Sequence, residues 1–329
     1  MNRRRAEPVP IPPSVNESIP PVRERLLAWF RANRRDLPWR HTRDPYRVLV
    51  SEIMLQQTQV DRVTPYYHAF LERFPTVEAL AAAPTAEVIR AWAGLGYNRR
   101  AVNLQRTAKY VVDHLGGVFP STIEELKTLP GIGPYTAGAV ACFAFEHDVG
   151  FVDTNIRRVL HRVFFGVDVP TPAANEAQIA AIADAVVPPS NGWEWGQALI
   201  EFGALQCTAR KPACVICPLQ VDCAAFPAIQ TALAELPKGV RLKREAPYDG
   251  SNRFYRGRVI AALRDHALDD PVPLRTLGPY VRDDFSEEHL PWLNSVVEGL
   301  SKDGLALVAE DSPVYDADLD VGSRRVKLP

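Results

Sequence analysis

Four of the chain's five cysteines, Cys207, Cys214, Cys217 and Cys223, lie close together with the spacing C-x6-C-x2-C-x5-C. Four thiolates this near in sequence can wrap one compact metal centre. Soft sulfur donors suit zinc or an iron–sulfur cluster, and spacing alone leaves both open. Disulfides are the other use of clustered cysteines, and they need an oxidising compartment. The basic start, Met1 to Arg5, is not followed by the apolar stretch of a secretory signal. No segment approaches the roughly 18 apolar residues of a membrane helix. A cytoplasmic location is therefore expected, and with it metal ligation. The fifth cysteine, Cys142, sits among apolar helical residues and reads as a small buried side chain.

Net charge is −1, unhelpful by itself for a nucleic-acid binder. Its distribution is uneven. Residues 1–245 carry 28 Lys and Arg against 24 Asp and Glu, whereas residues 246–329 carry 10 against 15. The proline-rich stretch 1–21 reads as a disordered tail. Residues 22–226 are helical in pattern throughout. Asp44-Pro45 predicts a helix start, running through Gln59. Segments 79–93, 98–114 and 174–187 read as further helices. Residues 227–252, punctuated by proline and glycine, read as a linker. Residues 253–329 form a small C-terminal domain, with helices at 255–266, 274–281 and 290–303 and a strand at 305–308. Three helices followed by a strand predict a winged-helix-like α+β module.

Two carboxylates and one hairpin stand out. Leu129-Pro130-Gly131-Ile132-Gly133 precedes a helix from Tyr135 to Phe145. Gly131 and Gly133 allow close backbone approach, and a helix start offers free N–H groups, so this hairpin can hold one DNA phosphate. Some twenty residues on comes Val152-Asp153-Thr154-Asn155. The other carboxylate, Glu52, is flanked by Val48, Leu49, Ile53 and Leu55. Apolar surroundings raise a carboxyl pKa and suit it to general-acid work.

Several motifs together resemble the MutY family of A/G-specific adenine glycosylases, within the helix-hairpin-helix and endonuclease III superfamily. They are the cysteine loop with Lys211-Pro212 and Pro218-Leu219, the segment Ser51 to Val60, Leu37-Pro38-Trp39-Arg40, Gly94-Leu95-Gly96-Tyr97 and Thr136-Ala137-Gly138-Ala139. The resemblance covers about residues 35–226. It implies a mainly α fold of two helical subdomains with a [4Fe-4S] cluster on Cys207, Cys214, Cys217 and Cys223. It implies a monomer acting on double-stranded DNA in the nucleoid, removing adenine from A·8-oxoguanine or A·G mispairs. Glu52 would protonate the leaving adenine and help position water. Asp153 would stay ionised and stabilise the cationic sugar, supported by Asn155 and Tyr135. Lysine occupies the Tyr135 position in strand-nicking relatives, so tyrosine there implies a monofunctional enzyme that leaves an abasic site. Gln57 and Tyr97 match positions that wedge beside the opposite base, and Trp39 and Arg40 match positions lining the adenine pocket. Arg210 and Lys211 are candidate phosphate contacts.

The chain departs from the family pattern in two places. Residues 246–329 lack the strand-rich Nudix-like domain that reads 8-oxoguanine in typical bacterial members, which leaves the opposite-base preference open. The aspartate motif reads Asp-Thr-Asn in place of Asp-Gly-Asn. Two rival readings remain: a mismatch thymine or uracil glycosylase of the same superfamily, and a non-enzymatic iron–sulfur DNA-binding regulator. The acidic C-terminal balance and the two carboxylates argue against the second.

Overall fold

The computed structural model describes residues 11, 13–236, 248–266, 270–309 and 320–329. Fifteen helices are seen among them. Helices α1 (Pro13–Asn33), α2 (Pro45–Leu55), α3 (Val60–Arg73), α4 (Val77–Ala82), α5 (Thr85–Ala91) and α6 (Arg99–Leu115) come first. They are followed by α7 (Ile123–Leu126), α8 (Pro134–Phe145), α9 (Thr154–Phe164), α10 (Glu176–Ala185), α11 (Gly192–Leu205) and α12 (Ala228–Glu235). The last three are α13 (Asn252–Arg264), α14 (Leu274–Val281) and α15 (Leu290–Lys302). The fold is mainly α. Contacts divide the chain into two units: Met1–Glu52 with Pro120–Thr128 and Ile132–Arg241, and Ile53–Phe119 with Leu129–Gly131 and Leu242–Pro329.

In the first unit, α11 packs on α1, α8 and α9. Helix α8 is apolar all round and is buried from Thr136 to Ala144, as a helix without a polar face must be. Helix α1 buries Val15, Ile19, Val22, Leu26 and Phe30. That stripe at helical spacing corrects the expected tail at 1–21 for residues 13–21, which are helical despite Pro20 and Pro21 inside the helix, while 1–10 and 12 lie outside the described residues. Trp29 meets Phe202 edge-on with ring centroids 4.9 Å apart. The expected linker at 227–252 likewise begins with a helix, α12, whose Ile229 packs with Val169 and Ala225. Part of that stretch, 237–247, lies outside the described residues.

In the second unit, α6 packs against α4 and α5. The helix expected at 79–93 is two helices, because Pro84 has no N–H to continue the first and holds Ala83 extended. Helix α2 stops at Leu55, short of Gln59, where Gln57 turns to φ +57° and Gln59 starts α3. Helices α13, α14 and α15 pack mutually around a three-stranded antiparallel sheet. Its strands are β1 (Val272–Pro273), β2 (Leu307–Val308) and β3 (Arg325–Lys327), ordered β1-β3-β2, with Val272 opposite Val326 and Leu307 opposite Lys327. This order of helices and strands is the winged-helix-like module expected at the C-terminal end. Its core is continuous with α5 and α6: Ala86, Ile89 and Val102 cluster with Val259, Leu263, Leu293 and Val326. Arg90 adds hydrogen bonds to the carbonyls of Arg264 and His266, at 3.2 and 2.6 Å.

Candidate active site and cluster loop

Glu52 lies on α2, where Tyr46, Val48, Leu49 and Val50 are also buried. Only 4% of its surface is exposed. Its Oε2 accepts a hydrogen bond from Tyr135 Oη at 2.8 Å. Burial raises the Glu52 pKa to about 7; the Tyr135 hydrogen bond opposes this and the Asp153 charge adds to it. A carboxyl in this state is half protonated at neutral pH and can give up a proton there. Tyr135 opens α8, and its ring meets Phe151 edge-on at 5.8 Å. Burial, and then the charges of Glu52 and Asp153, lift its pKa well above the usual phenol value, so it stays a donor.

Asp153 is the N-cap of α9. Its Oδ1 accepts from the backbone N–H of Ile156 at 2.6 Å and its Oδ2 accepts from Asn155 Nδ2 at 3.1 Å. Burial raises its pKa above the usual aspartate value, and these hydrogen bonds, together with the Arg158 charge, offset only part of that rise. The helix start also favours an anion there. The two carboxyls thus meet different surroundings: one neutral donor at Glu52, and several donors of a helix terminus at Asp153.

Arg158, which the sequence reading passed over, extends this group. Its Nη2 donates to Asn155 Oδ1 at 2.8 Å and to the Gly203 carbonyl at 2.7 Å, and its Nε donates to the Cys207 carbonyl at 2.7 Å. Asp153, Asn155, Arg158 and the first residue of the cysteine loop therefore form one hydrogen-bonded chain. Gly203 makes room for it, since a Cβ there would come within 2.7 Å of Asn155 Cβ. The available signal was helical: Asn155 and Arg158 are three apart and share a face of α9.

The four loop cysteines are free thiols in the structure. Burial raises the pKa of each, and that of Cys217 reaches about 12 with further contributions from Cys207, Cys223 and Cys214. The four sulfurs thus share one neighbourhood. Among the described residues no three His, Cys, Asp or Glu side chains converge as the ligands of a single ion would. Four thiols on one short loop are the donor set that a [4Fe-4S] cluster takes, and these residues fit it. Arg162 braces the loop: it is 2% exposed, donates to the carbonyls of Thr208 and Ala209 at 2.8 and 3.0 Å, and lies 3.8 Å from Cys207 Sγ. Arg25 pairs with Asp222 on the same loop. Arg210 and Lys211 are exposed, and Cys142 is buried.

Trp39 and Arg40 lie in a buried 3-10 turn, Pro38–His41. The Arg40 guanidinium donates to Gln197 Oε1 at 2.8 Å, to the Arg35 carbonyl at 2.8 Å and to Glu201 Oε2 at 3.0 Å. Arg35 also donates to Glu201, through Nε at 2.9 Å and Nη2 at 2.8 Å. The donors of Arg40 are thus directed at this buried ion group.

In the hairpin, Gly131 takes φ +80°, and a Cβ there would lie 2.9 Å from Asn103. Gly133 is the N-cap of α8 and leaves that helix start without a side-chain cap. In the second unit, Gln57 and Tyr97 are exposed with φ +57° and +48°. Non-glycine residues occupy this region at a cost, and such strain collects at binding sites. Arg100, also unanticipated, holds both turns. It donates to the carbonyls of Ile53 and Met54 at 2.9 Å each, to that of Gln56, and to those of Leu95 and Gly96 at 3.3 and 3.2 Å.

Comparison with known proteins gives the family. Residues 50–184 match the family of HhH-GPD superfamily base excision DNA repair proteins, and residues 207–223 match the iron-sulfur binding domain of endonuclease III. A thermostable thymine-DNA glycosylase is similar in structure, with TM-score 0.60 and 32% identity over 65% of this chain and 98% of that one. An endonuclease III–DNA complex shares the fold at TM-score 0.53 and 24% identity, over 63% of this chain and 94% of that one. These define a base-excision DNA glycosylase of the helix-hairpin-helix class carrying a [4Fe-4S] loop. The adenine DNA glycosylase of Mycolicibacterium smegmatis is 44% identical over 250 residues, covering 75% of this chain and 81% of that protein. The human adenine DNA glycosylase is also 44% identical, over 61% of this chain and 38% of its own length. The chain belongs to the adenine DNA glycosylase family.

Proposed function

We propose that this chain excises adenine mispaired with 8-oxoguanine or guanine in duplex DNA, as a monomer, and leaves an abasic site. The observation that carries the reading is the contrast at the two carboxyls: Glu52 is shifted to about 7 and hydrogen-bonded to Tyr135, whereas Asp153 is held by donors of a helix start. The adenine leaves the base stack before reaction. Glu52 protonates a ring nitrogen of the base as the bond to C1′ of the sugar breaks. Asp153 remains anionic and stabilises the oxocarbenium-like sugar. Water then attacks C1′ and returns a proton to Glu52, so the products are neutral adenine and the abasic sugar.

Tyr135 holds the Glu52 carboxyl, and Asn155 holds Asp153. Neither Tyr135 nor Asn155 offers an amine for a Schiff base, which supports a monofunctional reaction. Gln57 and Tyr97 wedge beside the opposite base, Trp39 and Arg40 support the adenine pocket, and Gly131 and Gly133 hold a phosphate. Cys207, Cys214, Cys217 and Cys223 would hold the cluster, which orders the loop bearing Arg210 and Lys211. None of the described helices is long and apolar enough to cross a membrane. A cytoplasmic, nucleoid-associated enzyme fits this reading.

Excision assays on duplexes containing A·8-oxoguanine, A·G, T·G and U·G test the reading. Adenine release from the first two is expected, and Asp153→Asn should abolish it. The likeness to a thymine-DNA glycosylase at 32% identity is what supports the rival reading of a mismatch thymine or uracil glycosylase, and release of thymine or uracil without adenine would establish it.

A further inference from the structure

Phe151 is a buried residue two positions before Asp153, and its ring lies 5.8 Å from that of Tyr135, the hydroxyl partner of Glu52. It meets one carboxyl's surroundings through space and the other's through the chain. A phenylalanine in such a place reads first as core filling, but two glycines argue for more. On α8, Gly138 follows Tyr135 by three residues and so shares its helix face. A Cβ at Gly138 would come within 2.6 Å of Phe151 Cβ. On α11, a Cβ at Gly196 would come within 2.9 Å of Phe151 Cζ. One helix thus receives the base of this side chain and another its tip, and neither leaves room for a methyl group. Interdigitation this close leaves the ring one position. Phe143 closes a further side, edge-on at 5.4 Å.

The backbone on either side is fixed as tightly. Gly150 N–H donates to Asp184 Oδ1 at 3.1 Å, and a Cβ at Gly150 would come within 2.6 Å of the Ala183 carbonyl carbon on α10. Three residues after Gly150, Asp153 caps α9. Residues 150–153 are therefore pinned at both ends, with the Phe151 side chain clamped between two helices in the middle.

We infer that Phe151 is a positioning residue: clamped between Gly138 and Gly196, its ring sets where the Tyr135 hydroxyl stands, and so aligns the Glu52 acid with the Asp153 anion. This rests on the proposed activity. An edge-on ring contact fixes orientation as well as distance, and Glu52 takes its alignment from Tyr135 in turn. Loss of the ring opens a space beside two polar groups, and water can enter such a space. The titratable groups that act on Glu52 are Tyr135 and Asp153, but burial is the larger influence. Hydration should therefore lower the proton affinity of Glu52 by more than a slackened Tyr135 hydrogen bond raises it.

The test measures single-turnover excision by the iron-loaded protein on an A·8-oxoguanine duplex across pH. Duplex affinity is read by fluorescence anisotropy in the Asp153→Asn background, which prevents turnover. Phe151→Ala should lower the saturating rate by roughly 10- to 100-fold, as a misplacement of about 1 Å does, and leave affinity unchanged. The falling limb of its pH profile should move to lower pH. Gly196→Ala should also lower the rate, because the new methyl strikes the ring tip. Phe151→Leu in the same chain should restore part of it, since the shorter side chain vacates that point. Phe143→Leu, the control, should cost stability in urea unfolding and move neither rate nor limb. Infrared difference titration of the Glu52 carboxyl, identified by its loss in Glu52→Gln, reads the same shift without any excision. A carboxyl that titrates in Phe151→Ala where it does in the parent would overturn the inference. So would an unchanged rate, or a Gly196→Ala loss that Phe151→Leu deepens. Should Phe151→Ala not fold, Phe151→Leu and its pairing with Gly196→Ala carry the same test. If the parent releases no adenine while the Phe151→Ala carboxyl shifts, the proposed activity fails and the positioning role stands.

Discussion

Glu52 and Glu201 are both buried glutamates in the first unit, and they carry opposite charge preferences. Glu52 has one neutral partner, the Tyr135 hydroxyl, and its pKa rises to about 7. At Glu201 burial also pushes upward, but hydrogen bonds from Arg35 and Arg40 outweigh it and hold the pKa at about 2. Burial is common to the two sites, so the partners decide. A guanidinium pair makes an anchor that never gives up its charge, whereas a phenol leaves a carboxyl poised to move a proton near pH 7. On the proposed reading, the same residue type serves architecture in one place and chemistry in the other.

Removing the proton should produce the largest separation between the two. Glu52→Gln should lower single-turnover excision by roughly two to four orders of magnitude, the usual worth of a general acid. Loss of less than tenfold would show that another group protonates the base. Glu201→Gln should act on stability, because it strips the carboxylate from buried Arg40. A loss of about 3–5 kcal/mol in urea unfolding is expected.

The two glutamates should also tilt stability oppositely with pH. A raised carboxyl favours the protonated folded state, so the contribution of Glu52 is full below about pH 4.5 and is lost as pH rises through about 7. Glu52→Gln should therefore be stabilised relative to the parent at pH 8, by up to roughly 3 kcal/mol, and not at pH 4. The contribution of Glu201 is full above about pH 4.5 and fades as pH falls through about 2. Matched unfolding curves at pH 4, 6 and 8 would show the crossing or its absence.

The smallest effect concerns Tyr135. Its hydrogen bond lowers the Glu52 pKa, so Tyr135→Phe should raise it further. Excision that needs protonated Glu52 falls as pH rises through that pKa. The falling limb should move to higher pH in Tyr135→Phe, and a limb that stays in place would separate Tyr135 from the acid.

The groups of the proposed site were the legible part of this chain: Glu52, Asp153, Tyr135 and the four cysteines sit in short local motifs. The helices were legible where an apolar face repeats, as in α14. What escaped was pairing across long separations. Arg40 meets Glu201 across 161 residues, and no local spacing announces it. The helical start of α1 was masked by its prolines, although Val15, Ile19 and Val22 carried the stripe. The strands β1 and β3 are too short to alternate visibly.

The core shared by α5, α6 and the winged-helix-like module bears on how the chain comes into being on the ribosome. Arg90 finds its carbonyl partner 174 residues downstream, and Ile89 belongs to a core cluster whose members run as late as Val326 and Leu328. The early helices of the second unit must therefore emerge with an apolar flank exposed and wait for most of the remaining chain. Contacts of this sequence separation slow folding, and the interval is one in which a chaperone could usefully shield that flank.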